Sequence, residues 1–294
     1  MLVQRLLSSV IGIPLAVAVI WAGGTWLAGV LCLLAMIGLW EFHTKARGKG
    51  IVTTWPVACA AIVAFVMLAW GLSRPEGDRW WVSLGGFGLG VMCLLFGLML
   101  LVLVWNLVRF HRDQSVHVVM DVGATLLIAL YIGVPFSMCI LLRELPGRSH
   151  AEPVVGLPTY PIDIGARLLL LAFATASAAD SAAYFAGTTW GRHKLTPASP
   201  NKTVEGFVGG MVGAVVTATV IGLWFRVPFH VSAVSGVVVG TFGQLGDLCK
   251  SILKRDLGTK DFGNLIPGHG GILDRLDSLM MSAPLLFVWA WLTG

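Results

Sequence analysis

The chain has 294 residues, 56% of them hydrophobic and only 12% charged, with a net charge of +5 and a mean hydropathy of +0.84. A soluble domain rarely exceeds about 50% apolar residues, so a soluble enzyme is excluded, and the lack of short alternating segments excludes a β-barrel. The basic balance shows no interleaving of aromatic and basic residues, so it reads as loop charge that orients a membrane protein, not as nucleic-acid binding.

Apolar runs recur at 6–21, 25–42, 51–72, 87–109, 117–142, 166–187, 206–225, 230–250 and 278–293. Each is long enough to cross a hydrocarbon core of about 30 Å as a helix. Backbone groups in lipid must be satisfied within their own segment. The pattern therefore predicts an all-α, polytopic integral membrane protein with about nine transmembrane helices. Arg5 before the first run resembles a signal sequence, but no small-residue cleavage site follows, so the run is read as a retained helix. Ala22-Gly23-Gly24 joins it to the second as a tight hairpin, and Gly209, Gly210 and Gly213 suit close helix approach. The five cysteines, Cys32, Cys59, Cys93, Cys139 and Cys249, have no metal-ligand spacing and read as packing residues. A Pro-rich stretch at 143–165 reads as an ordered external loop. The whole is one membrane domain, 1–294, with N-terminal helices in 1–160 and motif-bearing helices in 166–294.

Nine spans put the termini on opposite sides. With the N-terminus in the cytoplasm, 14 of the 20 Lys and Arg fall on the cytoplasmic side and 6 on the other. The segments 188–205 and 251–277 then share the cytoplasmic face, where nucleotides and Mg²⁺ are found. The compact chain suggests a bacterial inner membrane.

Chemistry concentrates in those two segments. Asp180 lies inside an apolar span, where a charge costs about 2.5–3.5 kcal/mol on insertion scales, so it is a functional candidate. Ser199, Lys202 and Thr203 follow in Ser199-Pro200-Asn201-Lys202-Thr203-Val204-Glu205-Gly206. Asp247 ends another span, and Asp274 and Asp277, three apart, share one face if helical. These carboxylates are candidates for a hard-cation site. Lys202, Lys254, Arg255 and Lys260, with Arg275 nearby, are candidates to hold phosphate; the competing reading is cations attracting anionic lipid. Lys250 reads as such a juxtamembrane cation. His269, between Gly268 and Gly270, could orient a phosphate, act as an acid or cap a turn. Glu41 ends the second span, and Asp121 sits early in the fifth, facing the same cavity if the helices allow. The phosphate loop G-x-x-x-x-G-K-[ST] is absent, as are H-E-x-x-H and G-x-S-x-G.

The stretch Ser251–Asp277 resembles the signature of the phosphatidate cytidylyltransferase (CDP-diacylglycerol synthase) family. Its fixed positions are met by Ser251, Lys254, Arg255, Lys260, Asp261, Gly263, Pro267, His269, Gly270, Gly271, Asp274, Arg275 and Asp277. Asp180 to Tyr184 and Ser199 to Gly206 resemble the family's upstream elements. Motif detail covers roughly the C-terminal 120 residues; the first 160 agree only in hydropathy. One departure is Lys250, where the family commonly carries Glu, a change either at the site or on a tolerant face.

The resemblance implies that CTP and phosphatidate give CDP-diacylglycerol and diphosphate, a step of phospholipid biosynthesis. It implies Mg²⁺, with a monovalent cation such as K⁺ beside it. Asp247, Asp274 and Asp277 would hold the metal, with Asp180 nearby. Lys202, Lys254, Arg255, Lys260, His269 and Arg275 would hold substrate phosphates, and Ser199 and Thr203 would donate hydrogen bonds. Partners are then CTP, phosphatidate and membrane lipid, with a homodimer compatible with the apolar surface. Rival readings are a CDP-archaeol synthase or polyprenol kinase-like enzyme, a transporter or channel, and an inactive scaffold.

Overall fold

The computed structural model describes residues 2–73, 80–112, 117–145, 163–263 and 270–293. His269 and most of the Pro-rich loop lie outside them. The helices are α1 (Leu2–Ala22), α2 (Gly24–Gly48), α3 (Trp55–Leu72), α4 (Trp80–Arg112), α5 (Val118–Arg143), α6 (Ile164–Trp190), α7 (Val204–Trp224), α8 (Phe229–Val238), α9 (Gln244–Asp256) and α10 (Leu273–Thr293). A π-helical turn, Val239–Gly243, joins α8 to α9. Phe229–Asp256 is thus one continuous span, and the described residues form nine helical rods, as the apolar runs predict.

Seven of these rods are long and apolar enough to cross a membrane, and α1 and α10 complete the nine. The chain is an integral membrane protein. In α5, 72% of the most apolar window is buried; in α4 the share is 17%. α5 is therefore the central post, while α4 turns Leu89, Met92, Phe96 and Leu103 outward, as a lipid-facing helix should.

Polar contacts gather at the two ends of the bundle. At one end, the Gly24 amide donates to Glu144 Oε1 at 2.7 Å, and Arg143 donates to the Ile20 and Trp21 carbonyls at 2.7 and 3.0 Å. Arg143 thereby answers carbonyls left open at the end of α1. Gly23 and Gly24 turn the chain with φ of 59° and 48°, a conformation that glycine adopts without steric cost. At the opposite end, Lys49 pairs with Asp256 at 3.1 Å. Asp121 is buried there, accepting from the Val52 amide at 2.8 Å and from Arg109 at 2.7 Å. It braces the chain between α2 and α3 and does not line the cavity described below.

α6 and α7 pack most closely, and glycine makes that possible. A Cβ at Gly209 or Gly213 would overlap the Ala186 or Ala182 methyl, and one at Gly210 would lie 2.8 Å from the Gln244 amide. We expect Gly209→Leu to force the pair apart at a cost of about 1–3 kcal/mol, read as a lower unfolding midpoint in detergent.

Between α6 and α7 the helices give way to a small antiparallel hairpin, β1 (Lys194–Thr196) and β2 (Ser199–Thr203). The apolar pattern did not forecast it. Thr203 then caps α7, its hydroxyl accepting from the Gly206 amide at 3.1 Å.

Candidate active site

The site is assembled where α6, the hairpin, α7, α9 and α10 meet at one end of the bundle. α9 and α10 lie flush because Gly243 and Gly246 face α10. A Cβ at Gly246 would stand 2.7 Å from Met281 Cγ and 2.9 Å from the Asp277 carbonyl. Helical spacing carries that face on to Asp247 and Lys250, and it brings Asp274 and Asp277 opposite them from the first turns of α10. Asp274 and Asp277 do share a face, as their spacing predicts.

The charged groups interlock. Lys250 Nζ lies 3.0 Å from Asp247 Oδ1 and 3.9 Å from Asp274 Oδ1, and it contacts Asp277 Oδ2. It also donates to the Asp274 carbonyl at 3.0 Å. Lys202 contacts the other oxygen of Asp247, and Lys254 lies 2.9 Å from Asp274 Oδ1. Asp274 Oδ2 accepts from the Phe262 amide at 3.0 Å and the Gly271 amide at 3.3 Å. Asp274 therefore ties the segment before α10 to Lys254. Lys250 is 4% exposed, so it is not the juxtamembrane cation that its position in the sequence suggests, nor does it lie on a tolerant face.

A cavity of about 750 Å³ opens over this cluster. Asp180, Ser199, Lys202, Thr203, Asp247, Lys254, Asp274, Arg275 and Asp277 all line it, as do Lys194, Gln244 and Lys250. Two expected phosphate ligands are set apart from that lining. Arg255 is exposed and donates to the Ala198 carbonyl of the hairpin at 3.4 Å. Lys260 is exposed as well.

The walls are held by groups that the sequence left without a role. Glu205 accepts from the Arg192 amide at 3.0 Å and from His193 Nδ1 at 2.6 Å, fixing the start of the hairpin. Gln244 donates to the Phe207 carbonyl at 3.0 Å and the Gly240 carbonyl at 2.6 Å, joining α7 to the π turn. Glu41 reaches across from α2. Its two oxygens accept from the Ile272 and Leu273 amides at 3.0 and 3.2 Å. The carboxylate is 2% exposed and meets the positive end of α10, where four amides have no partner inside the helix. Gly263 and Gly271 make room for it; a Cβ at Gly271 would sit 2.5 Å from Glu41 Oε2. The rule that singled out Asp180, a carboxylate within an apolar span, applies equally to Glu41.

Chemically, the cavity offers cations for phosphate oxygens and carboxylate oxygens suited to a hard cation. Among the described residues no three acidic, histidine or cysteine side chains stand ready around a common point to hold an ion. The point on which the aspartates converge carries the Lys250 ammonium. The donor chemistry thus fits an ion that takes one or two carboxylates together with phosphate oxygens, not a cage built by the protein alone.

Residues 3–293 match the cytidylyltransferase family. A phosphatidate cytidylyltransferase from Synechocystis sp. is 34% identical over 302 residues, covering 97% of this chain and 94% of that protein. One from Staphylococcus haemolyticus is 31% identical over 287 residues, covering 96% of each. A third, from Bacillus subtilis, is 41% identical over 170 residues, or 57% of each.

Proposed function

Because the chain belongs to the cytidylyltransferase family, and is thereby a nucleotidyltransferase, we propose that it joins CTP to phosphatidate, releasing CDP-diacylglycerol and diphosphate. The observation that carries this reading is the one cavity lined by Lys202, Lys254 and Arg275 together with Asp180, Asp247 and Asp277. Cations of this kind can receive a triphosphate and a lipid phosphate together.

The chemistry asks little of the protein beyond placement. A phosphate monoester carries between one and two negative charges near neutral pH, so its oxygen needs no base to activate it. That oxygen attacks the α-phosphorus of CTP. A new P–O bond forms, the bond from the α-phosphorus to the bridging oxygen breaks, and diphosphate leaves with the electron pair. The obstacle is repulsion between two anions, which positioned cations relieve. Lys202, 30% exposed at its side chain, is free to turn from Asp247 towards the triphosphate. Lys254 and Arg275 would hold phosphate oxygens, and the Ser199 hydroxyl would donate a hydrogen bond. Thr203 keeps its role at the start of α7. Mg²⁺, held by Asp247 with Asp180 or Asp277 and by the triphosphate itself, would supply further charge screening. The acyl chains would stay in the bilayer. The cavity end would face the cytoplasm of a bacterial inner membrane.

The test is diphosphate release by the purified protein in mixed micelles with CTP, phosphatidate and Mg²⁺. Release is expected only when both substrates are present, with the CMP moiety recovered on the lipid. Transfer of a γ-phosphate to lipid, without diphosphate, would overturn the reading in favour of a kinase.

A further inference from the structure

Three carboxylates converge on one lysine, and that lysine is the least exposed of the three that pair with them. An ammonium has three N–H donors, and oxygens surround that of Lys250: Asp247 Oδ1 at 3.0 Å, the Asp274 carbonyl at 3.0 Å and Asp277 Oδ2 in contact. Asp274 Oδ1 completes the shell at 3.9 Å. An all-oxygen shell is also what a small hard cation requires. The neighbouring cations are held differently. The side chains of Lys202 and Lys254 are 30% and 15% exposed, against 4% for Lys250. The first two can follow a ligand into the cavity. Lys250 is fixed by its own shell and by a helix that Gly246 holds against α10.

Charge leads to the same conclusion. Asp247, Asp274 and Asp277 are matched by Lys202, Lys250 and Lys254, so the cluster is already neutral. An incoming metal ion must displace an ammonium or bring anions of its own. Displacing Lys202 is easy, and it frees the oxygen of Asp247 nearer the cavity. Displacing Lys250 would bury an unpaired charge, which is strongly unfavourable.

We propose that Lys250 is the resident cation of this centre. It fills the inner position among Asp247, Asp274 and Asp277. The site then takes a single divalent ion at its outer edge, together with nucleotide phosphates, and has no place for a second ion, divalent or monovalent. The proposal rests on the site described under Proposed function but not on the reaction, because metal binding can be read without turnover.

The experiment measures binding of Mn²⁺ to the purified full chain in detergent, by electron paramagnetic resonance and equilibrium dialysis. Without nucleotide, the wild type should hold Mn²⁺ only weakly; with CTP it should hold no more than one ion per chain. Lys250→Gln should bind Mn²⁺ without nucleotide at least about tenfold more tightly, since the vacated shell presents the carboxylates of Asp247 and Asp277 and the Asp274 carbonyl. Its unfolding midpoint should start below that of the wild type and rise on adding Mn²⁺ or Mg²⁺, as ligand binding to the folded state requires. Lys250→Arg, which keeps the charge, should leave Mn²⁺ binding weak. Two ions per wild-type chain in the presence of CTP would overturn the proposal, as would a folded Lys250→Gln that gains no affinity. The wild-type stoichiometry needs no variant, so a Lys250→Gln that fails to fold leaves the proposal open to refutation. Failure of diphosphate release alongside the expected Mn²⁺ pattern would count against the reaction and not against Lys250.

Discussion

Asp247→Asn is expected to lower turnover by about 10²–10³-fold, the range found when one preorganised electrostatic partner is removed from an active site. The substitution keeps the shape and removes one negative charge. Lys250 would lose the partner at 3.0 Å, and Lys202 would lose the carboxylate that presents it to the cavity. The cluster would change from neutral to singly positive. CTP should then bind as well as before, or better, because the cations have one competitor fewer. The loss should fall on kcat, with KM for CTP flat or reduced, and initial rates across a CTP series would show it. A KM raised with kcat intact would mean that Asp247 only helps to hold nucleotide.

Glu41→Ala should lower kcat by about 10²-fold, although Glu41 is not among the residues lining the cavity, because misplacing catalytic groups by about 1 Å costs that much. Two buried amides, of Ile272 and Leu273, would lose their acceptors, at about 1–3 kcal/mol each in stability. Glu41→Gln retains one acceptor oxygen and should recover part of both losses. Parallel measurements of kcat and unfolding midpoint over the two variants test this. A Glu41→Ala protein with wild-type kcat would show that α10 needs no anchor from α2.

Much of the fold was legible because each apolar run is a direct readout of the bilayer. The π turn and the continuation of α9 to Asp256 were not, because polar residues end an apolar window without ending a helix. The hairpin at 194–203 escaped for a different reason. Its strands of three and five residues are too short to show alternation. In the site, Asp180, Asp247 and Asp277 could be found because carboxylates are costly in or beside apolar spans. Glu41 was hidden by distance, its partners being 231 and 232 residues away. The role of Lys250 was hidden by ambiguity. A lysine at the end of a span looks the same whether it faces lipid phosphates or three aspartates, and only the packing of α9 on α10 decides.

The pairing of Lys202 with Asp247 also bears on how the protein meets its ionic surroundings. An open lysine cluster attracts polyanions from a distance, and that attraction fades as salt rises. Here the ammonium groups of Lys202, Lys250 and Lys254 are already engaged, so a nucleotide that reaches them takes the place of a partner instead of landing on bare positive charge. Capture becomes an exchange of neighbours, and few solution ions are released by it. Such a site gives up long-range steering and in return is insulated from swings in ionic strength and from the many other phosphates that share the same compartment.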